Sequence, residues 1–524
     1  MRFDQFVDCF KLPPTIFVRR SYSVENTAFD GIEPIRVWKH FADLVRVPRP
    51  SKSEFPAIEF LEAWADGHSF SHKKDAAGNL AVTVPALPGH ESAPVVALQS
   101  HVDIVVSNAA GRPDGVDAAL GHIPVVRADC DANDNCTESP SGDWIWAQHC
   151  TLGADNGLGV VCAMAAAEDS VHGPMILLFT VDEEEGLTGA KEMDPVLLEG
   201  ADYLINLDSE DDDVFTVGCA GGRDTEIHWS AERSSGAADD VVVKVEVKEL
   251  KGGHSGVEIH QARGNGIRIL SQLLQRLGAD VSLRIANVTG GDRRNAIPRS
   301  AEATILLSND GAQRLDAVAN ELRSELKDHF SGRDDNIEIE ITSTEAVADA
   351  FGPEESMRLV DMLMALPDGV AGVCPEVSDL VETSNNMALV STDENNISVV
   401  CSSRSSSAYA LDDMVRRVQT IARLAGAEAK STNGYPGWKP NFDSPLAGVC
   451  ERVYESVFKA KPTVESIHAG LECGAILAKK PDLDAISVGP TIRGNHAPGE
   501  RVSISSVQRF FPFLQATLKE LASV

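Results

Sequence analysis

The chain has 524 residues, 43% hydrophobic and 24% charged, and its 46 Lys plus Arg against 79 Asp plus Glu give a formal charge of −33. That length exceeds one ordinary core, so two or three domains are expected in what reads as a soluble globular protein. The negative field argues against nucleic acid and anionic membranes as partners.

No apolar run approaches a membrane span, and the N-terminus lacks a continuous hydrophobic signal region. A cytoplasmic location is therefore the default, with organelle targeting by residues 1–30 left open. The ten cysteines have no regular spacing and read as reduced thiols. Cys130 and Cys136 flank an acidic loop and would pair only in an oxidising compartment.

Residues 1–30 show no clear period and read as an N-terminal extension. IRVWKHFADLVRV predicts an amphipathic helix stopped by Pro48 and Pro50, and residues 53–65 predict a second. PVVALQ, residues 94–99, predicts a strand buried on both faces. It runs into Ser100, His101, Val102 and Asp103, and period-two alternation puts His101 and Asp103 on one side. Residues 108–143, rich in Asp, Asn, Gly and Cys, read as an inserted loop. DCDANDNCTE within them is no calcium loop, because Asp134 holds the sixth place and Pro140 the twelfth.

TLGADNG then leads into the helical pattern GVVCAMAAAE, which sets Asp155 in a glycine-flanked turn, where capping is the ordinary role of an Asp. PMILLFTVDEEEGLTGA follows at 174–190, a buried strand whose tip carries Asp182, Glu183, Glu184 and Glu185. Adjacent carboxylates at such a tip repel one another unless something offsets the cost. YLINL, residues 203–207, is another buried strand, ended by Asp208.

From Arg223 the pattern changes to apolar–charged alternation, as in VVVKVEVKEL, the signature of a sheet with one wet face. The sequence therefore predicts an α/β catalytic domain with a mostly parallel or mixed sheet flanked by helices. An inserted α+β lid or dimerisation domain interrupts it. The expected boundaries are 31–222 and 433–524 for the catalytic domain and 223–432 for the insertion.

His101 with Asp103, Glu183 with Glu184, Asp208, and His496 follow four separate strands, and Asp155 precedes a helix. In open α/β sheets the ends of such strands share one rim, where ligands bind. Two neutral imidazoles with Asp155, Glu184 and Asp208 carry three negative charges against four positive on two divalent cations. A bridging hydroxide would cancel the remainder. Such N/O ligands suit zinc, with manganese or cobalt as options, and Glu183 then stands as general base.

The segments LQSHVD, TLGADNG, LFTVDEEEG, LINLDSED, VGCAGG, GGHSG, RGN, NAIPR, LVETS, YPGWKP, HAGLECG and GPTIRGNHAP resemble the metallopeptidase family of aminoacylases, succinyl-diaminopimelate desuccinylases and carnosine-cleaving dipeptidases. Within it the chain is similar to the aminoacyl-histidine dipeptidase branch.

The resemblance implies that His101 and Asp208 hold one metal, that Glu184 and His496 hold the other, and that Asp155 bridges them. It implies further that Asp103 orients His101 and that Asp155–Asn156 is cis. His254 would stabilise the oxyanion, and Arg404 and Asn295, with backbone at Gly470, would bind the substrate's carboxylate end.

The expected activity is hydrolysis of Xaa-His and other unblocked dipeptides by a metal-bridging hydroxide, in a homodimer joined through the inserted domain. Glu472 and Cys473 read as packing beside the pocket, and Asp182 and Glu185 as the expendable pair of the acidic tip. The rivals are an N-acyl amino acid deacylase and a catalytically silent scaffold on the same fold.

Overall fold

A computed structural model describes residues 27–523 apart from 238–239, 345–348, 376 and 378–379. The expected N-terminal extension falls largely outside the described residues. Its last part forms a short turn, Thr27–Phe29, whose Phe29 stacks on Trp38.

The buried apolar runs become the centre of an eight-stranded sheet. Val96–His101 lies parallel between Met175–Thr180 and Tyr203–Asn206, and Asp484–Ser487 extends the parallel set. Both Val96–His101 and Met175–Thr180 are buried along their whole length, which is why they read as continuous rather than alternating runs. Leu80–Val84 runs antiparallel to Met175–Thr180, which makes the sheet mixed. The helices Ile35–Leu44, Ala154–Asp169 and Ile504–Leu521 pack into the same core, which contains Trp38, Phe41, Phe179, Phe215 and Phe513. Register places His101 opposite Thr180, so the ends of these strands form one rim.

A second, nine-stranded sheet has its own core. One half runs through Glu338–Ser343, Val241–Lys248, Ala301–Leu307 and Leu283–Gly290. The other holds Val381–Asp393, Asn396–Ser405, Gly221–Ser230 and Glu428–Tyr435, with Gly369–Val373 on the side of Val381–Asp393. Gly290 opposite Val390 joins the halves. The chain passes between the two sheets at Ala220 and again beyond Tyr435, where Cys219 and Trp438 bridge across the seam.

Two expectations need correction. Residues 108–143 are not all loop: Val126–Cys130 and Cys136–Glu138 join Trp144–Trp146, Arg501–Ser503 and Ile492–Arg493 in a five-stranded sheet. The hairpin tip is tightened by the Asp131 carboxylate, which accepts from the backbone N–H groups of Asn133 and Asn135. Cys130 and Cys136 are bonded to each other, so the general reading as reduced thiols gives way there to the pairing that the sequence allowed for an oxidising compartment. Cys150, Cys162, Cys219, Cys401, Cys450 and Cys473 are free and buried.

Candidate metal centre

The rim brings together residues that are far apart in sequence. His101 Nε2 lies 3.2 Å from Asp155 Oδ1 and 3.4 Å from Asp208 Oδ1. His496 Nε2 lies 3.0 Å from Asp155 Oδ2 and 3.0 Å from Glu184 Oε2. Two ligand groups result, His101–Asp155–Asp208 and Asp155–Glu184–His496, and Asp155 offers one oxygen to each. Glu184 Oε1 is buried and has no hydrogen-bond partner among the described residues, a cost that a cation would remove. The donor set fits divalent metal ions. The Asp155–Asn156 peptide is cis, and Asn156 Nδ2 donates to Asp208 Oδ1.

Beneath these groups lies a layer that the sequence reading saw only in part. Asp103, fully buried, faces His101 Nδ1 at 3.5 Å and also accepts from the backbone N–H groups of Glu183 and Glu184. Ser51 Oγ donates to it at 2.8 Å. Asp103 thus meets the imidazole through its backbone carbonyl, 3.2 Å from Nδ1, and the acidic tip through its carboxylate. Glu500 accepts from four successive backbone N–H groups, Leu152 to Asp155, at 2.7–3.1 Å. Arg49, buried, donates to the carbonyls of Val102 and Gly153. A Cβ at Gly153 or Gly157 would meet its Nη2 at 2.6 Å, which accounts for both glycines of TLGADNG.

The acidic tip divides differently from the expectation. Glu185 is exposed, as anticipated, and it pairs with Lys52. Asp182 is instead buried in a group with Glu54 and Asp103, its Oδ2 accepting from Thr188 and its Oδ1 without a partner among the described residues.

The expected substrate end gathers at the seam. Arg404 is 7% exposed, donates from Nη1 to the Tyr435 hydroxyl at 2.8 Å, and has no ion-pair carboxylate among the described residues. His254 makes no hydrogen bond to the metal cluster; its Nδ1 accepts from the N–H groups of Gly256 and Val257 at 3.2 and 3.1 Å. That arrangement puts its proton on Nε2 as a free donor. Asn295 is exposed, and its carbonyl accepts from Ser255 N, so its position holds the His254 loop. Gly470 packs on the Tyr435 ring.

Residues 245–334 match the family described as a peptidase dimerisation domain. The chain is 34% identical over 497 residues, 94% of its length and 98% of the relative's, to the cytosol non-specific dipeptidase of Escherichia coli (strain K12). The chain belongs to the M20 family of peptidases. A crystal structure of an aminoacylhistidine dipeptidase from Vibrio alginolyticus superimposes with a TM-score of 0.84 at 33% identity, over 94% of this chain and 98% of that one. An aminopeptidase from Bacillus cereus, 15% identical with a TM-score of 0.52 over 94% and 99% of the two chains, shares the fold.

The electrostatics of this M20 site follow from burial against clustered charge. Burial raises the Glu183 carboxyl well above its ordinary range; His101 opposes the shift, while Asp208 and Glu184 add to it. Hydrogen bonds to Asp155 and Glu184 push His496 up to about 11. His254 moves the other way, to about 4, through burial and then the Arg404 charge, so it is neutral near pH 7.

Sequence reasoning missed His468, whose Nε2 meets Ser384 Oγ at 2.8 Å. Burial, then Arg404, lowers it to about 3. Glu472 is fully buried, accepting from Gln99 and Thr180, and burial raises it to about 7. Both lie in HAGLECG, and that segment was the available signal. Cys473 is buried.

Proposed function

We propose that this M20 peptidase is a two-metal dipeptidase that cleaves unblocked dipeptides, Xaa-His among them. His101 and Asp208 would hold one ion, Glu184 and His496 the other, and Asp155 both; zinc is the first choice. Bound there, the ions supply Lewis-acid polarisation of the scissile carbonyl and activation of a water molecule.

Glu183 takes the water's proton and passes it to the leaving amine. Asp103 keeps Glu183 and His101 in register through the contacts described above. His254, neutral with its proton on Nε2, donates to the developing oxyanion. It does so within its own chain, a reading supported by the approach of Gly256 to the His468 carbonyl, where a Cβ would stand 2.6 Å away. Asn295 holds the His254 loop, and Arg404 receives the C-terminal carboxylate.

The observation that carries this reading is the buried, carboxylate-free Arg404 guanidinium at the seam, bonded to the Tyr435 hydroxyl. A buried cation without a partner is costly, and a free α-carboxylate is its natural complement.

The division into 31–222, 223–432 and 433–524 is supported by the two sheets and their separate cores. A homodimer through the inserted domain rests on the dimerisation-domain match. A cytosolic location rests on the E. coli relative's name, and the Cys130–Cys136 bond is the observation against it.

The test is a panel of dipeptides and N-acetyl amino acids offered to metal-analysed protein. Hydrolysis of dipeptides is expected, with Glu183→Gln retaining metal but losing roughly a thousandfold in kcat. Hydrolysis of N-acetyl amino acids alone would replace this reading with the deacylase one.

A further inference from the structure

Tyr435 ends the strand Glu428–Tyr435 directly opposite Gly222. Its ring is seated between two glycines from different parts of the chain. A Cβ at Gly222 would stand 2.4 Å from the ring's Cζ, and one at Gly470 would stand 2.7 Å from Cε2. A side chain at either position would drive the ring away, so both glycines serve to admit it.

The hydroxyl is held as well. Arg404 Nη1 donates to it at 2.8 Å, which occupies the oxygen as an acceptor and leaves its own O–H to donate. Among the described residues no group accepts that proton. Arg404 Nε, buried, also lacks an acceptor among them. Burial raises the phenol, with Arg404 opposing, so the hydroxyl keeps its proton at neutral pH. The Glu183 charge adds a little to that rise.

Two unused donors and an uncompensated positive charge therefore meet at one place. The ligand that satisfies all three is an anion with two acceptor oxygens.

We infer that Tyr435 is a substrate-binding residue whose hydroxyl donates to the C-terminal carboxylate of the substrate. Arg404 supplies the charge and Tyr435 the second donor. Because the ring is locked between Gly222 and Gly470, it also fixes where that carboxylate stands. Gly470 thus acts through the seat it provides for the ring. This inference rests on the proposed reading in which the substrate carries a free C-terminal carboxylate.

Tyr435→Phe keeps the ring and removes only the hydroxyl. Calorimetric binding of L-leucine and of L-leucinamide to the metal-loaded protein separates the carboxylate contact from general packing. The variant is expected to weaken L-leucine about tenfold and leave L-leucinamide unchanged, with KM for a dipeptide rising more than kcat falls. Gly470→Ala, which keeps the hydroxyl but displaces the ring, is expected to act with the same selectivity. Equal weakening of both ligands, or no change in either, overturns the assignment. A wild type that binds L-leucine in this manner yet cleaves no dipeptide would overturn the functional reading and leave Tyr435 where it is.

Discussion

At the scale of single residues, Asp182 and Glu183 are neighbours with opposite prospects. Asp182 is one of three clustered buried carboxylates, and its φ of +50° is a conformation that Asn adopts as readily as Asp. Asp182→Asn removes one negative charge from that cluster and keeps the acceptor for Thr188. We expect activity within about threefold of wild type and a melting temperature that is unchanged or higher, whereas Glu183→Gln removes the proposed general base. Matched kinetics and melts of the two variants decide it; equal activity losses would sink the division.

Residue by residue, the legible part of the site was the part announced locally. His101, Glu184 and Asp208 stand at the ends of buried strands, and Asp155 in a glycine turn before a helix; the family motifs assigned their roles. Glu500 and Tyr435 were given no role, although Tyr435 opens the segment YPGWKP. Glu500 acts on a turn 345–348 residues earlier in the chain, and Tyr435 depends on glycines at 222 and 470. Contacts of that range are set by tertiary packing and leave no periodicity to read.

At the scale of elements, the strands of both sheets were legible because burial on two faces and burial on one leave different patterns, as Met175–Thr180 and Val241–Lys248 illustrate. The hairpin of Val126–Cys130 and Cys136–Glu138 was not. It is short and partly exposed, and it carries the acidic composition of a loop.

Asp368 ties three elements together. Following the helix Pro353–Ala365, its Oδ1 accepts from Asn265 Nδ2, at the head of the helix Gly266–Asp280, and from the N–H of Met387, in the strand Val381–Asp393. Burial pushes this carboxyl up to about 6 from 3.8. The folded state then holds a proton that the unfolded chain has released between those values. The stabilisation is complete below about pH 4 and is lost as pH rises through 6. Asp368→Asn keeps an acceptor oxygen and has no charge to form. It should match wild type near pH 4 and exceed it at pH 7 by about 1 kcal/mol, a figure discounted for the residue's partial exposure. Urea denaturation at the two pH values measures this, and a difference that does not change with pH contradicts it.

At the scale of the whole molecule, the eight-stranded sheet carries most of the proposed metal ligands and the nine-stranded sheet carries Arg404, so the proposed site needs both. The family's dimerisation region, 245–334, covers strands and helices of only one half of the nine-stranded sheet. The excess of 79 acidic over 46 basic residues gives the whole molecule a negative field. Such a field raises the local concentration of cationic ligands and repels anionic ones, and salt removes both effects by shortening the screening length. Two dipeptides with the same C-terminal residue, one beginning with Lys and one with Asp, isolate the effect because their carboxylate contacts are identical. From ~0.02 M to ~0.5 M NaCl the screening length falls from about 20 Å to about 4 Å. Over that range kcat/KM for the Lys dipeptide is expected to fall severalfold, while that for the Asp dipeptide holds or rises. Parallel salt curves for the two would mean that capture is decided within the seam and that the molecule's net charge has no part in choosing the substrate.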